Sequence, residues 1–313
     1  MKKVAIVGYA QHPILENAGA LNEVELIMPV VHQLFDELGI NQNNIDFTCS
    51  GSCDYLQGAA FAFVEGLSAI QTNPPIKESH VEMDAAWAMY ESMLKIQMGD
   101  ADTALIYGFG KSSPGRLDSI ISLQMDPYYI SPLWPDRVSL AGLQAKVLLE
   151  KNIITPEQMI TAVIEARTNS KNNKNALVTE LVDKEAYLAS EKISSPLNEF
   201  DCPPISDGSS AMIIASEEKA YEFTDHPIFI EGIDHRIESS NIGSRDLSKP
   251  TGILASIEQL KLEKIKFDVA ELHTQFSHEV PYLQSVLNLN DVPTNLSGGP
   301  LVGNVMMLSL IHI

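Results

Sequence analysis

Short apolar runs alternate with longer amphipathic stretches along the first hundred residues. Lys3 to Tyr9 is a compact apolar run that predicts a buried strand. Glu23 to Leu38 places Leu26, Ile27, Val30, Val31, Leu34, Phe35 and Leu38 at helical spacing, and Gly39 supplies the stop. Ile45 to Thr48 reads as a short strand running into Ser50-Gly51-Ser52, and His80 to Met83 as another. A helix is predicted from Asp84 to Met98, ended by Gly99, followed by a strand at Thr103 to Tyr107. In that helix Ala85, Ala86, Trp87, Ala88, Met89, Met93, Leu94 and Ile96 cover most of the circumference, so it belongs in the middle of a fold. Strands alternating with helices imply an α/β class, with parallel pairing and helices over the sheet faces.

The texture changes between Lys111 and Asn198. Pro114, Pro127, Pro132 and Pro135 break up the first part, and helical stretches follow near Ser139 to Glu150 and Pro156 to Thr168. This reads as an inserted, partly helical region over about 110–200. A strand returns at Ser210 to Ala215, then a helix around Glu217 to Phe223. Beyond it the chain echoes its own beginning. Pro227 to Ile233 is a strand like Lys3 to Tyr9, and Phe267-Asp268-Val269 resembles Ile45-Asp46-Phe47. Ile6 and Ile230 differ by 224 positions and Asp46 and Asp268 by 222, offsets close enough to indicate an internal duplication.

Composition narrows the function classes. The 313 residues are 45% hydrophobic and 20% charged, a globular balance with room for a large core. Lys and Arg number 21 against 41 Asp and Glu, and a net charge of −20 repels phosphate backbones, which argues against a nucleic-acid binder. The three cysteines, Cys49, Cys53 and Cys202, form no disulfide framework and point to a reducing, cytoplasmic setting. Cys49 and Cys53 have no second pair or His cluster at ligand spacing, so no metal site is expected. The apolar run after Lys2 and Lys3 is too short for a signal segment or a membrane span.

Five stretches carry a resemblance. Val4-Ala5-Ile6-Val7-Gly8, Gly99 to Leu105, Ile205 to Ala211, His273-Thr274-Gln275-Phe276 and Asn295-Leu296-Ser297-Gly298-Gly299 occur in the order found in the thiolase superfamily. The chain most resembles sterol-carrier-protein-x-type thiolases and bacterial lipid-transfer thiolase-like proteins. That resemblance implies a duplicated αβαβα five-layer fold, a homodimer, and acyl-CoA thioesters as substrate with no separate cofactor. It also implies a nucleophilic Cys at a strand-to-helix junction, a position that falls here on Glu82 in His80-Val81-Glu82-Met83-Asp84. The family's oxyanion-holding His is matched by His273 before Phe276. Its Gly-His-Pro base is matched by Gly303-Asn304-Val305, and Asn304 can donate a hydrogen bond but cannot take a proton. Ser297, Gly298 and Gly299 are expected to let backbone approach the thioester.

Glu82 is therefore the candidate general base. Partial burial at a helix N-terminus would fit it to take the hydroxyl proton of a 3-hydroxyacyl-CoA, with His273 holding the enolate oxygen. Some family members are retro-aldolases that work beside a small OB-fold partner. The plainer alternative is that Glu82 and Asp84 cap the helix locally. Tyr107, Tyr128 and Tyr129 are expected to pack, and His12, His32, His80, His226, His235 and His278 to be solvated or in the core.

The expected domains are 1–225, a first thiolase-like half containing the insertion; 226–307, an incomplete second half; and 308–313, a non-native tail. The reading is thus a non-thiolytic enzyme of the acyl-CoA C-acyltransferase family, such as a retro-aldolase. The alternatives are a non-catalytic acyl-CoA or lipid-binding subunit, or a structural member of a heteromeric assembly.

Overall fold

The structure is a computed structural model that describes residues 2–58, 60–72, 75–239 and 241–305. The tail expected at 308–313 lies outside the described residues. The first part of the chain runs β1 (Val4–Gln11), α1 (Glu23–Leu38), β2 (Phe47–Gly51), α2 (Asp54–Gln57), α3 (Ala62–Ala69), β3 (Glu78–Val81), α4 (Ala85–Met98) and β4 (Thr103–Lys111). Then come α5 (Leu117–Gln124), α6 (Arg137–Glu150), α7 (Pro156–Ser170), α8 (Lys184–Ala189) and the short strands β5 (Lys192–Ser194) and β6 (Leu197–Asn198). The last part holds β7 (Ile205–Ser216), α9 (Glu217–Phe223), β8 (Ile228–Phe229), α10 (Thr251–Leu260), α11 (Glu279–Val286) and β9 (Asn304–Val305). These elements fall into two compact units. One comprises Met1–Gly115, Ile205–Ile233 and Val305–Ile313, the other Arg116–Pro204 and Asp234–Asn304.

The first unit is built on a sheet whose main path is β3-β2-β4-β7-β1-β8. Strands β3, β2 and β4 are parallel, as the helix alternation predicts. β7, however, pairs antiparallel with both β4 and β1, and β8 is antiparallel to β1. The difference follows from connection: β7 reaches the sheet after a long excursion through the other unit rather than through a single crossover helix. The strand expected over Pro227 to Ile233 is reduced to the two residues of β8.

Strands β4 and β7 are buried over nearly their whole length, the signature of central strands covered on both faces. Leu105, Tyr107, Phe109, Ala211 and Ile213 share one core with Val30, Val31, Leu34 and Phe35 of α1. α4 packs on β2 and β4, burying Ala85, Ala88, Ser92, Met93 and Ile96 but leaving Met98 exposed, so only one face of this helix is buried. Its ends obey local chemistry. The Asp84 carboxylate accepts from the Ala86 and Trp87 N–H groups, and Gly99 closes the helix at φ 82°.

The second unit is mainly helical. Ala145 and Leu148 of α6, with Met159, Phe276 and Tyr282, form one cluster. Ile160, Val163 and Ala166 of α7 form another with Val182, Leu301 and Val302. Among the described residues its strand pairing is the β5–β6 pair and an isolated parallel bridge between Ala270 and Thr294.

Candidate active site

In the first unit chemistry collects where β2 and β3 end and α4 begins. Gly51, the last residue of β2, lies so close to the start of α4 that a Cβ there would sit 2.5 Å from the Asp84 carbonyl carbon. Only glycine permits that approach. β2 and β3 run parallel with Ser50 opposite His80, and the Ser50 hydroxyl lies 2.9 Å from His80 Nδ1. The other ring nitrogen, Nε2, is 3.4 Å from Glu82 Oε2. Glu82 Oε1 accepts from the Asp54 N–H at 2.8 Å, and the Cys53 side chain also bonds to this carboxylate. Phe63 stacks face to face on the His80 ring at 4.1 Å. Tyr107, buried on β4, bonds to Ser50.

Glu82 is not partly buried as expected: half of its side-chain surface is accessible, against 11% for His80. The reason is that β3 ends at Val81 and Glu82 already lies in the turn before the helix. His80 was not singled out by sequence, although it stands two residues from Glu82, the spacing that puts two side chains on one side of an extended chain.

The cysteines are poor thiolates. Burial pushes Cys49 up to about 12, aided by the charges of Glu91 and Glu78. Cys53 is raised by burial and by the Glu82 carboxylate. In the second unit burial and the Asp201 carboxylate push Cys202 up to about 11. A thiolate, not a thiol, is the nucleophile in acyl transfer.

The second unit holds the remaining sequence candidates. His273 and Thr274 follow the Ala270–Thr294 bridge. Glu271, two residues before His273, accepts from both the N–H and the hydroxyl of Ser297 at 3.0 Å. Burial raises the Glu271 carboxyl, and the Ser297 bonds pull it back. The Ser297 hydroxyl in turn accepts from the Gly299 N–H, while Asn173 donates to the Ser297 carbonyl. Gly298 has φ 92°, and a Cβ there would meet the Ala166 carbonyl at 3.0 Å and Val302 Cγ2 at 2.6 Å. The turn is therefore a pinned element that only glycine fits. Buried Asn295 joins it to the His273 segment: its Oδ1 accepts from the Leu272 N–H, and its Nδ2 donates to Thr274. Asn304 is buried.

Behind His273 a second carboxylate fixes the chain. Asp201, fully buried, accepts from Tyr187 Oη at 2.8 Å, from the Asn198 N–H at 2.7 Å and from the Ser277 hydroxyl. Glu279 accepts from the Phe276 N–H at 3.2 Å, and burial pushes its carboxyl up to about 7. His278, wholly buried beside Gln144, is pushed down to about 4 by burial. Glu82 thus belongs to one unit, and His273, Ser297, Gly298, Gly299 and Asn304 to the other. Among the described residues no group of three or more His, Cys, Asp or Glu is placed to hold a metal ion, and no helix is long and apolar enough to cross a membrane.

No family model matches the chain. It is 26% identical to an acetyl-CoA acetyltransferase of Methanocaldococcus jannaschii over 295 residues, covering 88% of this chain and 74% of that protein. It is also 26% identical to bovine sterol carrier protein 2 over 211 residues, which is 61% of this chain and 39% of that one. The chain is similar to proteins of the thiolase superfamily. Its fold is that of thiolases: human mitochondrial 3-ketoacyl-CoA thiolase superposes with a TM-score of 0.75 at 16% identity, covering 99% of this chain and 92% of that one. The Ltp2-ChsH2(DUF35) aldolase superposes with a TM-score of 0.74 at 17% identity, covering 97% and 86%. The chain spans about three quarters of its archaeal relative and well under half of the bovine one.

Proposed function

We propose that this protein makes or breaks a carbon–carbon bond in an acyl-CoA thioester without acylating a cysteine, and that its reaction is the retro-aldol cleavage of a 3-hydroxyacyl-CoA. The observation that carries the reading is the β3–α4 junction. There Glu82 stands where the superfamily resemblance sets a nucleophilic thiol, with His80 beside it, while all three cysteines are held toward the thiol form. In the proposed step Glu82 takes the proton of the C3 hydroxyl. The O–H electron pair forms the C3 carbonyl, the C2–C3 bond breaks, and its electrons pass into the thioester as an enolate. The resemblance assigns the enolate-holding role to His273, with Asn304 as a further hydrogen-bond donor. Return of the proton to C2 releases a shortened acyl-CoA and a carbonyl compound, so neither free CoA nor any oxidant is consumed. Supporting the class, the aldolase above shares the fold and is named as a pairing of Ltp2 with ChsH2. A homodimer, a small OB-fold partner and a cytoplasmic location belong to the same proposal.

The test is incubation with 3-hydroxyacyl-CoA and with 3-ketoacyl-CoA, each with and without free CoA, followed by mass spectrometry of the CoA products. Shortened acyl-CoA from the hydroxy substrate without free CoA is expected, with a loss of about 10²- to 10⁴-fold in Glu82→Gln. CoA-dependent cleavage of the keto substrate would instead mean that a cysteine is the nucleophile. Acyl-CoA binding without turnover would leave a binding subunit.

A further inference from the structure

A side chain that is to hold an enolate oxygen must itself be held, and the bonds around His273 single out one residue for that task. We propose that Glu271 is the positioning residue of His273 and acts through Ser297, its carboxylate clamping the Ser297-Gly298-Gly299 turn against the His273 segment. The inference rests on the reading of His273 as the group that holds the enolate.

Residues 271–274 carry no regular secondary structure, and side chains do there most of what a strand ladder would do. Only Ala270 is tied by backbone bonds alone, accepting from the Asn295 N–H at 2.8 Å and donating to the Pro293 carbonyl at 2.9 Å. Asn295 then reaches Leu272 and Thr274, on either side of His273, and Glu271 reaches Ser297. An ionised carboxylate can only accept, and the two oxygens of Glu271 take the two donors of one serine. Oε1 takes the Ser297 N–H and Oε2 its hydroxyl, each at 3.0 Å. Two such bonds fix the turn against rotation as well as sliding. With its hydrogen spent on Glu271, the Ser297 oxygen accepts from the Gly299 N–H at 3.1 Å. The Gly298 N–H goes to the Asn295 carbonyl at 2.9 Å. Every N–H from Ser297 to Gly299 is thus spent within the segment, so the turn's part is to hold rather than to donate to a thioester. Its other side is held by α7, where Asn173 donates to the Ser297 carbonyl at 3.0 Å and Asn169 to the Asn295 carbonyl at 2.9 Å. Ser297 is therefore gripped by Glu271 at its N–H and hydroxyl and by α7 at its carbonyl. A shift of the turn passes through Glu271 and Asn295 to the residues that flank His273.

Two variants of the full chain test this. Glu271→Gln keeps the shape but sets an amide N–H₂ against one of the two serine donors. Ser297→Ala removes the hydroxyl, keeps the N–H and changes no charge. With 3-hydroxyacyl-CoA each is expected to lower kcat about 10-fold with KM within about twofold. A raised KM with kcat kept would place these side chains on the substrate and overturn the proposal, as would an unchanged kcat. The double variant is expected to lose no more than the worse single one, because both changes break the same clamp. Multiplied losses, about 100-fold together, would show that Glu271 acts without Ser297 and would equally overturn it. A [15N]histidine spectrum needs no turnover. The ring signals of His273, assigned by their absence in His273→Gln, are expected to move in Ser297→Ala, and unmoved signals sink the clamp. Should Ser297→Ala not fold, Glu271→Gln carries both the kinetic split and the spectrum. Absence of wild-type turnover would remove the proposed reaction while the His273 signals still decided whether the turn positions that ring.

Discussion

The β3–α4 junction and the His273 segment are held in place by different physics. At the junction the fixing is done by backbone groups, a hydroxyl and a part-buried helix cap: Asp84 caps α4, Asp54 N–H ties Glu82, and Ser50 ties His80. In the His273 segment the fixing is done by carboxylates drawn out of water, Glu271 on Ser297, Asp201 on Ser277 and Tyr187, and Glu279 on Phe276. An exposed carboxylate can trade protons, whereas a buried one surrounded by donors is committed to holding geometry. The first region is accordingly suited to acid–base work and the second to presenting a fixed dipole.

The contrast breaks most visibly at Asp201. Asp201→Ala leaves the Tyr187 and Ser277 hydroxyls and the Asn198 N–H buried without their acceptor. The expected cost is about 3 kcal/mol or more in a denaturant titration. Hydrogen exchange should speed up at Ser277 and Phe276 while the amides of α4 keep their protection. Equal loosening of α4 would mean that the two regions are not held separately.

A pH titration sharpens the same contrast through two adjacent residues. Glu279 is pushed up from 4.5 to about 7, so the folded protein binds its proton more tightly, and the stability this gives is present below pH 4.5 and lost as pH rises toward 7. His278 is pushed down from 6.5 to about 4, so its contribution is present above pH 6.5 and lost as pH falls toward 4. The two nearly offset between pH 4 and 7. His278→Gln should therefore make the protein gain stability on acidification, and Glu279→Gln should make it lose more than wild type, each by about 1–3 kcal/mol across that window. Parallel pH curves for wild type and both variants would remove burial as the cause.

How much of this could be read from sequence differs between the two regions for the same physical reason. Local rules carry the ends of α4: Asp84 as cap, Gly99 as stop and the helix between them need only neighbouring residues. The resemblance carries the fold, and the parallel set β3, β2 and β4 follows from the alternation. What is not local is lost. The antiparallel seat of β7 depends on where a long excursion returns, and the anchoring of Ser277 by Asp201 joins residues 76 positions apart. His80 lay between these cases. Its i, i+2 relation to Glu82 was visible, as was that of Glu271 to His273, but a lone histidine gave no reason to favour it until Ser50 was placed opposite it across the strands. Burial misled at Glu82: at a helix N-terminus it reads as partly buried, whereas the strand ends at Val81, two residues short of the expected Met83, and leaves it at the surface.

The smallest expected effect tests whether the junction is held by its backbone caps. Asp84 has two N–H groups on one oxygen, Ala86 at 3.1 Å and Trp87 at 3.2 Å. Asp84→Ala removes both bonds at the point where Gly51 already lets β2 press against the helix start. The cost should be about 1 kcal/mol, the ordinary value for a lost N-cap, and Asp84→Ser should recover most of it because its hydroxyl can cap while carrying no charge. Chemical denaturation measures the stability, and cleavage of 3-hydroxyacyl-CoA measures the site. If Asp84 only caps, Asp84→Ser keeps wild-type turnover, and Asp84→Ala loses it only as far as the first turn of α4 frays. A large loss of kcat in Asp84→Ser with full stability would instead put the Asp84 charge among the groups that do chemistry, and the junction would then hold two working carboxylates rather than one.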